Sequence, residues 1–354
     1  MKCSLFICNM KLVFSFLFLF AMFSFTACKH KKNIPDVSNI SVNLELKRFD
    51  VDFFKSDSNN IAAALDSLSV TYPMFLKDYL YNIQAFPPNQ DSVLKYSRLF
   101  LTDKLYRAIK DTTLIVFDNK SLESIKADIE KSFKYVKYYF PNYTAPSTIY
   151  TFVGPLEGTG NAITYQRTTK GLAIGLQSYL GAGFSVYQNQ YISQVYPFYK
   201  SRRFSKEYIV VNSVQNVIED LYPARVSGKN LIQQMIELGK KMYLTDLFLP
   251  EVADSLKIGY TGRQLEGCFK NEKNIWGFFV ENNLLFEKEP NTIATYLNDG
   301  PATPEISPES PGFIGQFVGW QIVKCWMEKH PKATVIDLLQ TPEAKIFDEA
   351  KYKP

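Results

Sequence analysis

"SLESIKADIEKSFKYVKYYFPNYTAPSTIYTFVG", residues 121–154, changes its period part-way. Leu122, Ile125, Ile129, Phe133, Val136 and Tyr139 recur at three- and four-residue spacing, the apolar stripe of an amphipathic helix over Ser121–Phe140. Pro141 ends it, because proline offers no N–H and its ring clashes with the preceding turn. Shortly after, Thr148–Val153 is β-branched and aromatic, which reads as a strand. A helix handing over to a strand in mid-chain predicts an α+β fold, and the flanking stretches set the proportions.

Downstream, "GPLEGTGN" (154–161) is turn chemistry, and Ala162–Tyr165 and Leu172–Leu176 read as further strands, so a small β-sheet is expected in the middle of the chain. From Tyr208 onward helical spacing returns over Val211–Tyr222, Lys229–Tyr243, Ser255–Ile258, Thr261–Asn283 and Gly312–His330. Upstream, Asn60–Leu80 is helical with a break at Pro73, and Leu94, Leu101, Leu105 and Ile109 continue the pattern. The first element, "ISVNLELKRFDVDFF" (40–54), alternates at Val42, Leu44 and Leu46, the period of a half-buried strand. No repeat of fixed period occurs, and Pro301–Pro311 is the one long loop expected. The expectation is a predominantly helical α+β protein.

Ahead of all this stands "MKLVFSFLFLFAMFSFTACKHKKN", residues 10–33. The apolar run Leu12–Phe25 is short of the roughly 20 residues a bilayer crossing needs, and a charged start followed by small residues matches a secretory signal. Phe25-Thr26-Ala27-Cys28 is similar to the lipobox of bacterial lipoproteins, in which the cysteine is acylated and the chain cut before it. Met10 already opens a complete signal. The rival reading is a short uncleaved anchor helix. This gives a signal peptide over 1–27, a lipidated Cys28 with a polar tether over 28–40, and a single globular domain over 41–354.

Cleavage removes Lys2 and Lys11 and no acid, taking the formal charge from +5 to +3, too mild a balance to imply nucleic acid as a partner. Of the five cysteines only Cys268 and Cys325 would remain to oxidise, and both sit in apolar helical contexts where free thiols are expected. The two histidines are His30, in the tether, and His330, placed like a cation at a helix end, so a Ser-His-Asp or Cys-His site has little to draw on. "GPLEGTG" lacks the lysine–serine pair or dinucleotide spacing of a phosphate cradle and reads as a turn. Glu219, Asp220, Asp246, Glu251, Asp254, Glu266, Glu272 and Glu281 are candidates for an acid–base pair, although solvated helix faces and ion pairs account for most such residues. The 28 Phe and 22 Tyr are expected mainly in the core, with a sugar-stacking or partner-binding patch as the alternative.

"RFDVDFF" (48–54), "YPMFLKDYL" (72–80), "GLAIGLQSYLG" (171–181), "YPFYKSRRFSKEYIV" (196–210), "GYTGRQLEGCFKNEKNIWGFFVENNLLF" (259–286) and "SPGFIGQFVGWQIVKCWM" (310–327) occur in this order. The series resembles the gliding motility lipoprotein GldB family of the Bacteroidota. That family looks related to zinc peptidases carrying His-Glu-x-x-His on the helix after "YIV", which implies a zincin-like domain. The equivalent helix here is "NSVQNVIED", with Asn212, Ser213 and Asn216 standing where His, Glu and His would be. Amides are poor zinc ligands, so the departure removes two ligands and the general base together, and no metal or other cofactor is expected.

The resemblance therefore implies a degenerate zincin-like domain with no catalytic residues, anchored to a membrane by lipid and facing the periplasm. It implies envelope proteins of the gliding machinery, or of type IX secretion, as partners. A carboxylate-dependent envelope hydrolase and a cell-wall (peptidoglycan) binding lipoprotein are the alternatives. Within "SPGFIGQFVGWQIVKCWM", Gly315 and Gly319 lie one helical turn apart and each costs roughly 1 kcal/mol relative to alanine. They predict a groove in which another helix packs backbone to backbone, with Asn212–Tyr222 as the expected partner.

Overall fold

In the computed structural model, which describes residues 34–354 except 159, 167 and 168, the chain enters the fold through a short strand, β1 (Glu45–Lys47). Six helices follow: α1 (Phe49–Phe54), α2 (Ile61–Thr71), α3 (Phe75–Lys77), α4 (Gln90–Thr102), α5 (Lys104–Val116) and α6 (Asn119–Tyr139). A π-helical turn, Asp78–Ile83, continues α3. Strands β2 (Thr148–Phe152), β3 (Asn161–Gln166) and β4 (Thr169–Gly175) occupy the middle. The rest is helical: α7 (Gln190–Val195), α8 (Phe198–Ser201), α9 (Glu207–Leu221), α10 (Leu231–Phe248), α11 (Asp254–Ile258), α12 (Gly262–Lys270), α13 (Glu272–Glu281), α14 (Pro290–Leu297), α15 (Ile314–Lys329), α16 (Val335–Gln340) and α17 (Glu343–Ala350). Asp36–Pro354 form one compact unit. The signal stretch, Cys28, His30 and the tether as far as Asn33 lie outside the described residues. Among the described residues no helix is long and apolar enough to cross a membrane.

The four strands form one mixed sheet in the order β1-β2-β4-β3, with β1, β2 and β4 parallel and β3 antiparallel to β4. Its inner strands β2 and β4 are almost wholly buried, as parallel strands covered on both faces must be. The strand expected over residues 40–54 is confined to Glu45–Lys47, and "FDVDFF" is helix α1. The alternation stops at Leu46, whereas Phe49 and Phe53 are one helical turn apart and both buried. The Asp50 carboxylate at the head of α1 is fully buried, held by Arg48 at 2.7 Å and by the Thr151 hydroxyl of β2 at 2.5 Å.

Two apolar clusters fill the unit. One lies between the sheet and the helices α1–α6 and α9, and the other is built on α12–α17. Helix α10 belongs to both: Leu231, Met235 and Met242 pack in the second cluster, Leu244 and Phe248 in the first. The glycine groove of α15 receives α10, not the expected 212–222 helix. A Cβ on Gly319 would overlap the Met235 carbonyl, and one on Gly239 of α10 would overlap the Gly319 carbonyl. The reason is reciprocity, since Gly239 leaves out the side chain on the facing helix. Gly315 is pressed by Leu297 of α14, 2.6 Å from where its Cβ would stand. The same two helices are joined by charge: Asp246 of α10 accepts from Trp320 Nε1 (2.8 Å) and pairs with Lys324 (3.3 Å) of α15 and with Lys257 (2.8 Å) of α11.

The expected helix Thr261–Asn283 is two, α12 and α13, and helices α7, α8, α14, α16 and α17 were absent from the sequence reading. Cys268 and Cys325 are free thiols, and burial pushes the Cys268 thiol up to about 12. Both should therefore be alkylated in denaturant without any reductant, with Cys268 inert in the native protein; labelling only after reduction would overturn this. The glycine contact makes a second prediction. Gly319→Leu should cost more than about 3 kcal/mol or prevent folding, because neither backbone can withdraw. Gln321→Leu, which replaces a half-buried side chain whose amide nitrogen has no partner, should stay within about 1 kcal/mol of the parent. Urea midpoints of the two variants decide it.

Candidate functional site

Helix α9 lies along β3, and side chains from the two elements close on one another at both ends. At the head of the strand Asn161 Nδ2 donates to Ser213 Oγ (3.0 Å), and Ser213 Oγ donates to the Ile209 carbonyl (2.7 Å). At its other end the Tyr165 hydroxyl donates to Asp220 (2.5 Å). Asn161, Ile163 and Tyr165 share one face of the strand by its two-residue period, which is why the same odd-numbered residues reach α9. Asn212, Asn216 and Asp220 recur at four-residue spacing and make a half-buried polar stripe on the helix.

The structure therefore brings Asn212, Ser213 and Asn216 together on one helix, and each is engaged. Asn212 Nδ2 donates to the Tyr179 hydroxyl (2.9 Å), Asn216 Nδ2 donates to the Asn212 carbonyl (3.0 Å), and Ser213 is fully buried in the bonds above. Burial raises the Tyr179 phenol, which keeps it a neutral hydroxyl. Among the described residues no group of three His, Cys, Asp or Glu side chains converges as metal ligands would. One polar atom in this knot is left over: Asn161 Oδ1 is buried without a partner.

Asp220 is the electrostatic centre of the far end. Burial alone would raise its carboxyl, but the Lys170 ammonium and the Tyr143 and Tyr165 hydroxyls, all at 2.5 Å, outweigh that and hold it below the ordinary aspartate value. Lys170 also lies 4.6 Å from the Tyr143 ring centroid, a cation–π contact. Asn161, Tyr179, Tyr143 and Lys170 escaped the sequence reading. The odd-numbered alternation in "NAITYQ" was the one signal available, and it marks a strand face without saying what covers it.

Two cavities flank α9. A small one, about 250 Å³, lies between α9 and α10 and is lined by Arg203, Asn212, Gln215, Glu219, Lys241 and Gln316. A larger one, about 740 Å³, lies between α6 and the 248–256 turn, with Val210 and Val252 beside Asp128, Tyr135 and Glu207. The Lys131–Glu251 pair, 2.5 Å apart, spans it.

The candidate acids mostly lie apart, each with its own partner. Glu219 pairs with Lys241, Glu251 with Lys131, and Glu272 accepts from the Tyr352 hydroxyl (2.5 Å). Glu266 and Glu281 are exposed. Asp246 and Asp254 do converge, but on the buried Lys257 ammonium, 2.8 Å from each, and Asp246 has Lys324 as a second cation, so both carboxylates are held in ion pairs. His330 ends α15, stacked on Trp326 at 4.4 Å with Nε2 3.4 Å from Glu349.

Fold and site together define a mostly helical α+β protein whose central helix meets the sheet edge with amides and hydroxyls. A family model described as gliding motility protein GldB matches residues 30–354, and the chain belongs to that family, which makes it a gliding motility-related protein. No curated protein and no solved structure matches it.

Asp220 gives a pH-dependent prediction. Its folded pKa lies below the unfolded value near 3.8, so its stabilisation is complete above that value and fades as pH falls through the folded pKa. Asp220→Asn should lower stability by roughly 2 kcal/mol at neutral pH and by far less in acid below the folded pKa. Denaturation curves at the two pH values check this; an equal loss at both would mean that the charge is not what holds the cluster.

Proposed function

We propose that this protein is a lipid-anchored, periplasm-facing component of the gliding-motility machinery, or of the envelope machinery associated with type IX secretion in a relative that does not glide, and that it acts without catalysis. On this reading α9 beside the antiparallel edge strand is the remnant of a zincin-like frame. The observation that carries it is the engagement of Asn212, Ser213 and Asn216 with Tyr179, Asn161 and the helix backbone. A zinc site needs three or four nitrogen, sulfur or carboxylate ligands at about 2.0–2.3 Å, and these positions supply amides and a hydroxyl already bonded elsewhere. The partners of such a protein are other envelope proteins, and the membrane is reached through acylated Cys28. A carboxylate-dependent hydrolase gains little from acids that pair with lysines and a tyrosine.

Two measurements test the reading separately. Mass spectrometry of the mature protein should find an acylated Cys28 at the amino end, and a peptide running uncut through Ala27 and Cys28 would remove the anchor. Protein purified without chelator should carry no stoichiometric zinc and cleave no peptide. Zinc lost on chelation together with a peptidase activity would end the non-catalytic reading.

A further inference from the structure

Helix α8 is a single turn that carries one bare ring. Phe198 is 75% exposed, although the turn beneath it is firmly held. The Lys200 and Ser201 N–H groups donate to the Pro197 carbonyl (2.8 and 3.0 Å), the Arg202 guanidinium donates to the Gly259 carbonyl (2.5 Å), and Arg203 pairs with Asp299. On either side of the turn in sequence, Tyr196 and Phe204 meet edge-on at 5.1 Å, and Tyr187 packs on Phe204 at the same distance. A fixed base thus holds one phenylalanine out in water, with the half-buried Tyr199 next to it. Single exposed apolar residues are ordinary, so the surroundings of this one decide whether it has a use.

Those surroundings are cationic. Between Glu157 and Glu207 the chain carries six lysines and arginines and no acid. Four of the six, Lys200, Arg202, Arg203 and Lys206, lie within eight residues of Phe198. Asp299 offsets Arg203 and Glu207 follows Lys206, but among the described residues no carboxylate pairs with Lys200 or with Arg202, whose partners are a carbonyl and the Gln264 amide. Tyr191, the other exposed ring of this stretch, is bonded to Glu157. Phe286 makes the contrast: it is 65% exposed, yet Glu281, Glu287 and Glu289 are its neighbours in sequence.

We propose that α8 is a membrane-contact site, at which Phe198 and Tyr199 enter the headgroup region of an anionic phospholipid bilayer while Lys200 and Lys206 meet its phosphates. Aromatic rings favour the membrane–water boundary, and a lysine stem lies along apolar surface while its ammonium stays with water and phosphate. The Lys200 ammonium is already 5.7 Å from the Tyr199 ring centroid. A protein partner is a poorer match, because lysine is depleted at protein interfaces and one projecting ring offers little area to bury. A second copy would set two cationic turns against each other. The compact unit is formally neutral, so the patch acts only at contact, within about 8 Å at physiological salt. The proposal therefore rests on the anchored reading above for approach, and it adds the face with which the anchored unit lies on the membrane.

The probe is p-benzoylphenylalanine at position 198 of the full-length lipoprotein, reconstituted into phosphatidylcholine vesicles with or without phosphatidylglycerol and irradiated. Lipid adducts, read by intact mass, are expected at position 198 when phosphatidylglycerol is present and should fall several-fold without it. The same probe at position 286 should stay near background in both. Lys200→Glu and Lys206→Glu should each lower the adducts at least fivefold, as for about 1 kcal/mol per basic residue, in chains that keep their melting temperature, whereas Lys200→Arg should keep them. If the charge-reversed chains unfold, raising the salt on the unreversed chain decides instead, since screening should cut the yield by a similar factor. Equal labelling at 198 and 286, equal yields with and without phosphatidylglycerol, adducts to protein alone, or yields that neither charge reversal nor salt moves would each overturn the proposal. An acylated Cys28 with no lipid adduct at 198 removes this proposal and leaves the anchor standing. An unacylated Cys28 removes the anchored reading, and the chain added to the same vesicles then tests position 198 by the same criteria.

Discussion

The contact on which most of the molecule depends is the backbone approach of α10 and α15 at Gly239 and Gly319. Glycine inside a helix costs roughly 1 kcal/mol against alanine, and here two facing glycines let the backbones meet where side chains would hold them apart. The approach fixes α10, and α10 is shared by both apolar clusters. Helix α9 is then set against α10 by the Tyr222 hydroxyl on Glu237 (3.1 Å) and by the Lys241–Glu219 pair. The position of α9 in turn decides where Asn212, Asn216 and Asp220 stand relative to the sheet. A one-atom constraint deep in the helical half thus reaches the polar stripe at the sheet edge.

Buried charges supply orientation around that contact. Asp50, Glu237, Lys240 and Lys257 are all essentially without solvent access, and each has an opposite charge nearby: Arg48 for Asp50, Glu343 for Lys240, Asp246 and Asp254 for Lys257, and Lys229 for Glu237. Such pairs contribute little net stability, because desolvation offsets most of the attraction, but losing one partner leaves a buried charge unpaired and is costly. Lys240 ties α10 to the amino end of α17 through Glu343 (3.0 Å) and the Thr341 carbonyl (2.8 Å). The carboxy-terminal helices are thereby committed to one docking position.

Much of this architecture was legible in the sequence. The stripe on α6, the break at Pro73, the strands after Pro141 and the close approach at Gly319 all follow from local period or from a residue that only crowding explains. What escaped depends on information that is not local. The helix α1 was hidden because an alternating stretch runs straight into it, and the change of period at Phe49 is only one turn long. Short helices α14 and α16 carry too few apolar residues for a period, although Glu289 capping ahead of Pro290 and the Thr334–Asp337 capping box mark their starts. The partner of Gly319 needed a second glycine in another helix. The polar knot on α9 needed Asn161 and Tyr179, far away in sequence and unremarkable in type.

Charge is distributed in a way that bears on how such a body works. Five of the 40 lysines and arginines precede residue 36 and none of the 35 acids does, so the compact unit is formally neutral. A neutral body has little long-range field with which to draw itself to an anionic surface or an oppositely charged partner. With Cys28 acylated, Lys29, Lys31 and Lys32 would sit at the lipid surface, where each basic residue near anionic lipid contributes about 1 kcal/mol. On the proposed reading the amino-terminal segment supplies localisation, and a folded unit of no net charge is left to select its partner by shape and hydrogen bonding. For that kind of selection an anchor at Cys28 would matter, because it would raise the effective concentration of anything else held at the same membrane and let modest shape complementarity suffice.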